Sequence, residues 1–160
     1  MTAERHASVI VASTRAAATI YEDRSGPIAV ERLRALGFVV ADALVVSDGD
    51  GVGAAIRDAV AAGVDVVLTS GGTGLSSDDQ TPEQTAAIID REVPGISAAI
   101  REAGSRQTAT AALSRGIAGL AGRTLIVNLP GSPGGVRDGM DVLATLLGHA
   151  VDQVRGGGHG

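Results

Sequence analysis

The sequence predicts an α/β protein with a mostly parallel sheet, on three observations. The runs Ala7–Ser13 (ASVIVAS) and Val64–Ser70 (VDVVLTS) are short and β-branched and are flanked by polar residues, which suits strands covered on both faces. Helical patterns lie between such runs. The order β, α, β, α, β fills the first seventy residues, which is the signature of parallel strands joined by right-handed crossovers.

Taken in order, Ala7–Ser13 is the first strand. Pro27 to Leu36 follows the turn Arg24-Ser25-Gly26 and sets Ile28, Leu33 and Leu36 toward one face, with Gly37 as its stop. GFVVADALVVSD, residues 37–48, reads as a strand with an interruption. Val52, Ile56 and Val60 recur every fourth residue, and Gly63 ends that helix. VDVVLTS is the next strand, and short helices follow from about Glu83 through Ala103. Two strands then flank the turn Ala121-Gly122, the second being Thr124 to Leu129. From Pro133 a single helix carries the apolar stripe Val136, Met140, Leu143, Leu147, Val151 and Val154, which covers the sheet or a neighbouring subunit.

Composition narrows the chemistry. At 160 residues the chain predicts one domain, residues 1–155, with a Gly-rich tail at 156–160 expected to be disordered and to leave His159 without a role. A net charge of −5 with no basic run disfavours nucleic acid and membrane surfaces as partners. The amino-terminal apolar run is too brief for a membrane span, and a cytoplasmic protein is expected. The absence of cysteine removes thiol nucleophiles, thiolate metal sites and disulfides, and the absence of lysine removes Schiff-base chemistry and the P-loop. Neither His6 nor His149 falls near a strand end of interest, so histidine catalysis is not expected.

Ligands of open α/β sheets bind beyond the carboxyl ends of the strands. Four such ends carry unusual residues: Ser13-Thr14-Arg15, Ser47 to Asp50, the glycine loop from Gly71, and Asn128 to Gly135. Gly71, Gly72 and Gly74 bare backbone N–H groups suited to phosphate, yet carboxylates stand where a phosphate cradle has lysine. Carboxylates repel phosphate unless a divalent cation lies between, which points to a magnesium-bridged phosphate compound. Asp79 reads equally as a helix N-cap and as a functional group; Asp48 reads more readily as a turn or cap residue, a job for which Asp50 competes. Arg15 is placed to touch an anion. Ser114 and Ser132 lack a nearby base and suit hydrogen bonding to a ligand.

With TSGGTGLSSDDQTPE, the later LSRGIAGLAGRTLIVNLPGSPGGV and the early SxR…YEDRSGP in that order, the chain resembles the molybdopterin adenylyltransferase family of molybdenum-cofactor biosynthesis proteins, over roughly Ala7 to Val154. The resemblance implies a three-layer α/β/α sandwich of the molybdopterin-binding fold, usually a homotrimer, that binds molybdopterin and transfers AMP to it from magnesium-ATP. It places the essential carboxylates on Asp48 and Asp79, the glycine loop on Gly71, Gly72, Thr73 and Gly74, and the final loop on Asn128, Pro130, Gly131 and Ser132. Asp48 and Asp79 are then expected to hold Mg2+ across the triphosphate, and Thr73, Ser132 and Asn128 to orient the pterin or its phosphate, with Ser13, Arg15 and Ser114 as further ligand contacts. Thr14 stands where aspartate is common, and Asp78 where some members carry arginine. A molybdenum-insertion protein is the implied partner. The alternatives are a non-catalytic molybdopterin carrier, which the glycine loops would serve as well, and a structural oligomer whose loops are only turns.

Overall fold

The computed structural model describes residues 3–14 and 23–157. Its elements are β1 (Arg5–Ala12), α1 (Ser25–Ala35), β2 (Phe38–Val40), β3 (Leu44–Val46), α2 (Asp50–Ala61), β4 (Val66–Ser70), α3 (Thr81–Ala86), β5 (Arg91–Glu92), α4 (Pro94–Ser105), a 3₁₀ turn (Ala109–Leu113), β6 (Ala118–Ala121), β7 (Thr124–Leu129), α5 (Pro133–Ala144) and α6 (Leu147–Val154). The strands form one sheet in the order β2–β1–β4–β7–β6–β5, with β3 also pairing β1. The pairs from β2 to β7 are parallel, and β7–β6 and β6–β5 are antiparallel. The interruption at Ala41 to Ala43 divides the second run into β2 and β3, which add in succession along the same side of β1.

Strand side chains alternate between faces, and both faces are apolar. Val66 and Leu68 on β4, with Leu125, Val127 and Leu129 on β7, pack with Leu33 of α1, Ile100 of α4, Met140 and Leu143 of α5, and Leu147 and Val151 of α6. Ile10, Val67 and Ile126 point the other way, onto Val52 and Ile56 of α2. The result is the expected three-layer α/β/α sandwich. The apolar stripe of α5 and α6 is spent on the sheet: Val136, Met140 and Leu143 are fully buried within this one chain.

Three local expectations change. The last stripe belongs to two helices, because the Thr145 hydroxyl donates back to the Val142 carbonyl at 2.8 Å and the chain turns before Leu147. The segment after α3 holds a strand as well as helices: β5 pairs with β6, and Pro94 restarts a helix at its first turn. Asp79 does not cap α3, whose N-cap position is Gln80. Gly156, at φ +82°, and Gly157 donate to the Gln153 and Asp152 carbonyls and close α6. His159 lies outside the described residues.

β1 is the pivot of this topology. The crossover through α1 leads from it to β2 on one side, and α2 leads from β3 to β4 on the other. Strand order reverses between β1 and β4, and at such a point the loops beyond the strands diverge and leave a crevice.

Candidate functional site

The glycine loop leaving β4 is shaped by two close approaches. Gly71 sits at φ +92°, and a Cβ there would stand 2.4 Å from the Ala12 carbonyl oxygen at the end of β1. Gly72, at φ +70°, would drive a Cβ to 2.2 Å from Thr81 Oγ1 and 3.1 Å from Asp48 Oδ1. Both positions need glycine for conformation and for space. The loop is then locked from outside by Arg115, whose Nε donates to Gly74 O at 2.8 Å and whose Nη2 donates to Asp79 O at 2.7 Å. The Arg115 backbone N–H donates to Thr73 O, and its guanidinium pairs with Glu83 at 2.7 Å. Those hydrogen bonds hold the Glu83 carboxyl below the usual carboxylate range and raise Arg115 above its ordinary value.

Asp48 is held by the loop after β1, and it caps no helix. Its Oδ2 accepts from the Thr14 N–H and hydroxyl at 3.3 and 3.2 Å, and the Thr14 hydroxyl oxygen accepts from the Asp48 N–H. The N-cap position of α2 is instead Gly49, whose φ of +88° makes the turn. Asp48 Oδ1 and Thr81 Oγ1 are buried without a hydrogen-bond partner among the described residues, and both lie beside Gly72. Buried polar atoms are nearly always paired, so these two are open to a hydrogen bond from water or a bound molecule. The Asp79 carboxylate curls back to accept from Ser76 N–H at 3.1 Å and lies against Gly74.

Two cavities meet at the loop. One, of about 760 Å³, is lined by Ser13, Thr14, Arg24, Ser25, Asp48, Asp78, Asp79 and Gln80. The other, of about 490 Å³, is lined by Thr73, Gly74, Ile100, Arg101, Gly104, Leu113, Ser114, Pro130, Ser132 and Asp138. Gly71, Gly72, Asp79 and Gly131 border both. Most of the expected site residues therefore converge. The Ser132 side chain also caps α5, accepting from Gly135 N–H at 3.0 Å.

Among the described residues, one expected residue does not join them. Asn128 is 3% exposed, donates to Thr69 and Thr85 hydroxyls at 3.0 Å each, and accepts from Ile117 N–H, so its amide is consumed inside the core. Arg15 lies outside the described residues. Sequence reasoning passed over Arg115 and Thr81, although both lie within the quoted motifs, as LSRG and DQTPE.

A magnesium ion fits this donor set only as the companion of a phosphate compound. Among the described residues no three His, Cys, Asp or Glu side chains cluster as a metal cage. Asp48 Oδ1 and Thr81 Oγ1 do offer oxygens, and Mg2+ is typically bound by one or two carboxylates together with substrate phosphates and water.

This fold carries a switch-point crevice and two glycine-bordered cavities beyond the carboxyl ends of its parallel strands. Residues 8–149 match the family model described as "Probable molybdopterin binding domain", and the chain belongs to that family. The chain is 33% identical to a molybdopterin adenylyltransferase from Helicobacter pylori, covering 94% of this chain and 88% of that protein. It is 39% identical to a molybdenum cofactor biosynthesis bifunctional protein from Synechococcus elongatus, with 96% of this chain covered. It spans about half the length of that relative, 49%. The solved structure of the molybdopterin biosynthesis Mog protein from Mycobacterium ulcerans superposes with a TM-score of 0.92 at 54% identity, covering 97% of this chain and 99% of that one.

Proposed function

We propose that this chain transfers AMP from magnesium-ATP to the phosphate of molybdopterin. The observation that carries the reading is Asp48: a carboxylate oxygen buried without a partner among the described residues, in the wall of the cavity that also holds Asp78 and Asp79. The 490 Å³ cavity, walled by Ile100 and Leu113, takes the pterin, and the carboxylate-lined cavity takes the nucleotide. Their shared border, Gly71, Gly72 and Gly131, is where the two phosphates meet.

In the reaction an oxygen of the molybdopterin phosphate attacks the α-phosphorus of ATP. The bond from that phosphorus to the bridging oxygen breaks, and pyrophosphate leaves with the electron pair. The monoester is already an anion near neutral pH, so no protein base is needed. Catalysis is positioning and charge neutralisation. Asp48 and Thr81 would hold Mg2+, which neutralises the triphosphate when bound. Asp79, its carboxylate tied to Ser76 N–H, keeps the loop N–H groups directed at phosphate and borders both substrates. The activated product passes to a molybdenum-insertion protein, and the working unit is a homotrimer.

Incubation with molybdopterin and magnesium-ATP should release pyrophosphate. Asp48→Asn should abolish release while retaining molybdopterin binding and the melting temperature. Molybdopterin binding by wild type without pyrophosphate would favour the carrier instead.

A further inference from the structure

α4 and α5 pack side by side along the pterin cavity; a Cβ on Gly139 would stand 3.6 Å from Ile100 Cγ2. Each helix contributes one charged side chain to the cavity wall, Arg101 and Asp138. Arg101 is pinned through Nη1, which donates to the carbonyls of Gly116 at 2.8 Å and Ser114 at 3.4 Å, and no carboxylate among the described residues pairs with it. Asp138, half-buried, has no hydrogen-bond or ion-pair partner among the described residues. Two opposite charges thus face one cavity without meeting each other. The Asp79 carboxylate at the same wall is already engaged by Ser76 N–H.

We propose that Asp138 and Arg101 read the edge of the pterin ring and make the cavity selective for a 2-amino-4-oxopteridine. That edge presents two parallel donors, the 2-amino group and N3–H, followed by one acceptor, the 4-oxo oxygen. A carboxylate complements the donor pair in bidentate fashion, and a guanidinium complements the adjoining oxygen. The ring plane lies against the apolar wall of Ile100 and Leu113, which Gly104 brings together by letting α4 pack closely on the 3₁₀ turn: a Cβ there would stand 2.9 Å from Ala111 Cβ. Asp138 is therefore a specificity residue, and Arg101 both reads the ring and joins α4 to the segment before β6.

The inference rests on assigning this cavity to the pterin, and its test uses no nucleotide, so failure of AMP transfer leaves it standing. Two fluorescent probes are titrated: 6-hydroxymethylpterin, and lumazine, in which a second oxo group replaces the 2-amino group. Wild type should prefer the pterin by about tenfold or more, the scale of a hydrogen bond to a charged group. Asp138→Asn should weaken pterin binding by about tenfold, collapse the preference, and leave the melting temperature unchanged, because Asp138 bonds nothing else in the fold. Arg101→Gln should weaken both probes alike, since both keep the 4-oxo oxygen. A preference retained in Asp138→Asn, or absent in wild type, overturns the proposal. Binding of neither probe by wild type overturns it together with the pterin assignment.

Discussion

Arg115 commits every arm of its side chain to one loop, two carbonyls and the Glu83 carboxylate. The pair gives the loop a pH dependence with a definite sign. The folded-state pKa of Glu83 is depressed, so its contribution is complete above the ordinary glutamate range and is lost as pH falls through the lowered value. Amide exchange in residues 74–79, corrected for intrinsic rate, should accelerate in the acid range, well below pH 5. Glu83→Gln should show the faster exchange at neutral pH and lose the acid transition. An unchanged profile in Glu83→Gln would remove the carboxylate from the clamp. At this scale the sequence was informative wherever residue type implies backbone geometry: the adjacent glycines after a strand mark the sharp loop that Gly71 and Gly72 make at positive φ. It was silent on Arg115, because a guanidinium that grips backbone carbonyls leaves no pattern of spacing.

Asn128 joins three elements with one amide, bridging β7 to Thr69 on β4, to Thr85 on α3 and to the segment before β6. Removing it strands the Ile117 N–H and two hydroxyls in the core, each worth about 1–3 kcal/mol when left unpaired. Asn128→Ala should lower the stability read from urea denaturation by about 3 kcal/mol, with ligand affinity unchanged at temperatures where the fold persists. A tenfold loss of affinity without loss of stability would return Asn128 to the binding surface. The parallel core was legible because β-branched runs and four-residue spacing are driven by burial on both faces. β5 was not, since Arg91–Glu92 is a two-residue exposed edge strand made by its partner β6. The break at Thr145 was equally hidden, for the apolar period continues through it while the hydroxyl turns the backbone.

For the molecule as a whole, the stripe on α5 and α6 is buried inside the chain and leaves other surfaces to any subunit contact. The large apolar side chains that stay exposed include Val39 and Leu44 on the β2–β3 edge, Leu75 and Leu113. Light scattering should still give the mass of three chains, and a monomer at micromolar concentration would refute the trimer. One further property belongs to the ends of the described chain. Arg155, just past α6, reaches the carbonyls of Ala3 and Glu4 and pairs with Asp65 at 2.8 Å, while Arg5 on β1 pairs with Asp152. These ties lie at the opposite edge of the sheet from the crevice. Beginning and end are therefore neighbours, and the domain behaves topologically as a ring fastened by arginines. A circular permutant, closed there by a short glycine linker and cut at the Gly122-Arg123 turn, should fold and keep its cavities. For the same reason a second domain can be spliced at this seam, remote from the chemistry, as a cassette joins a longer reel.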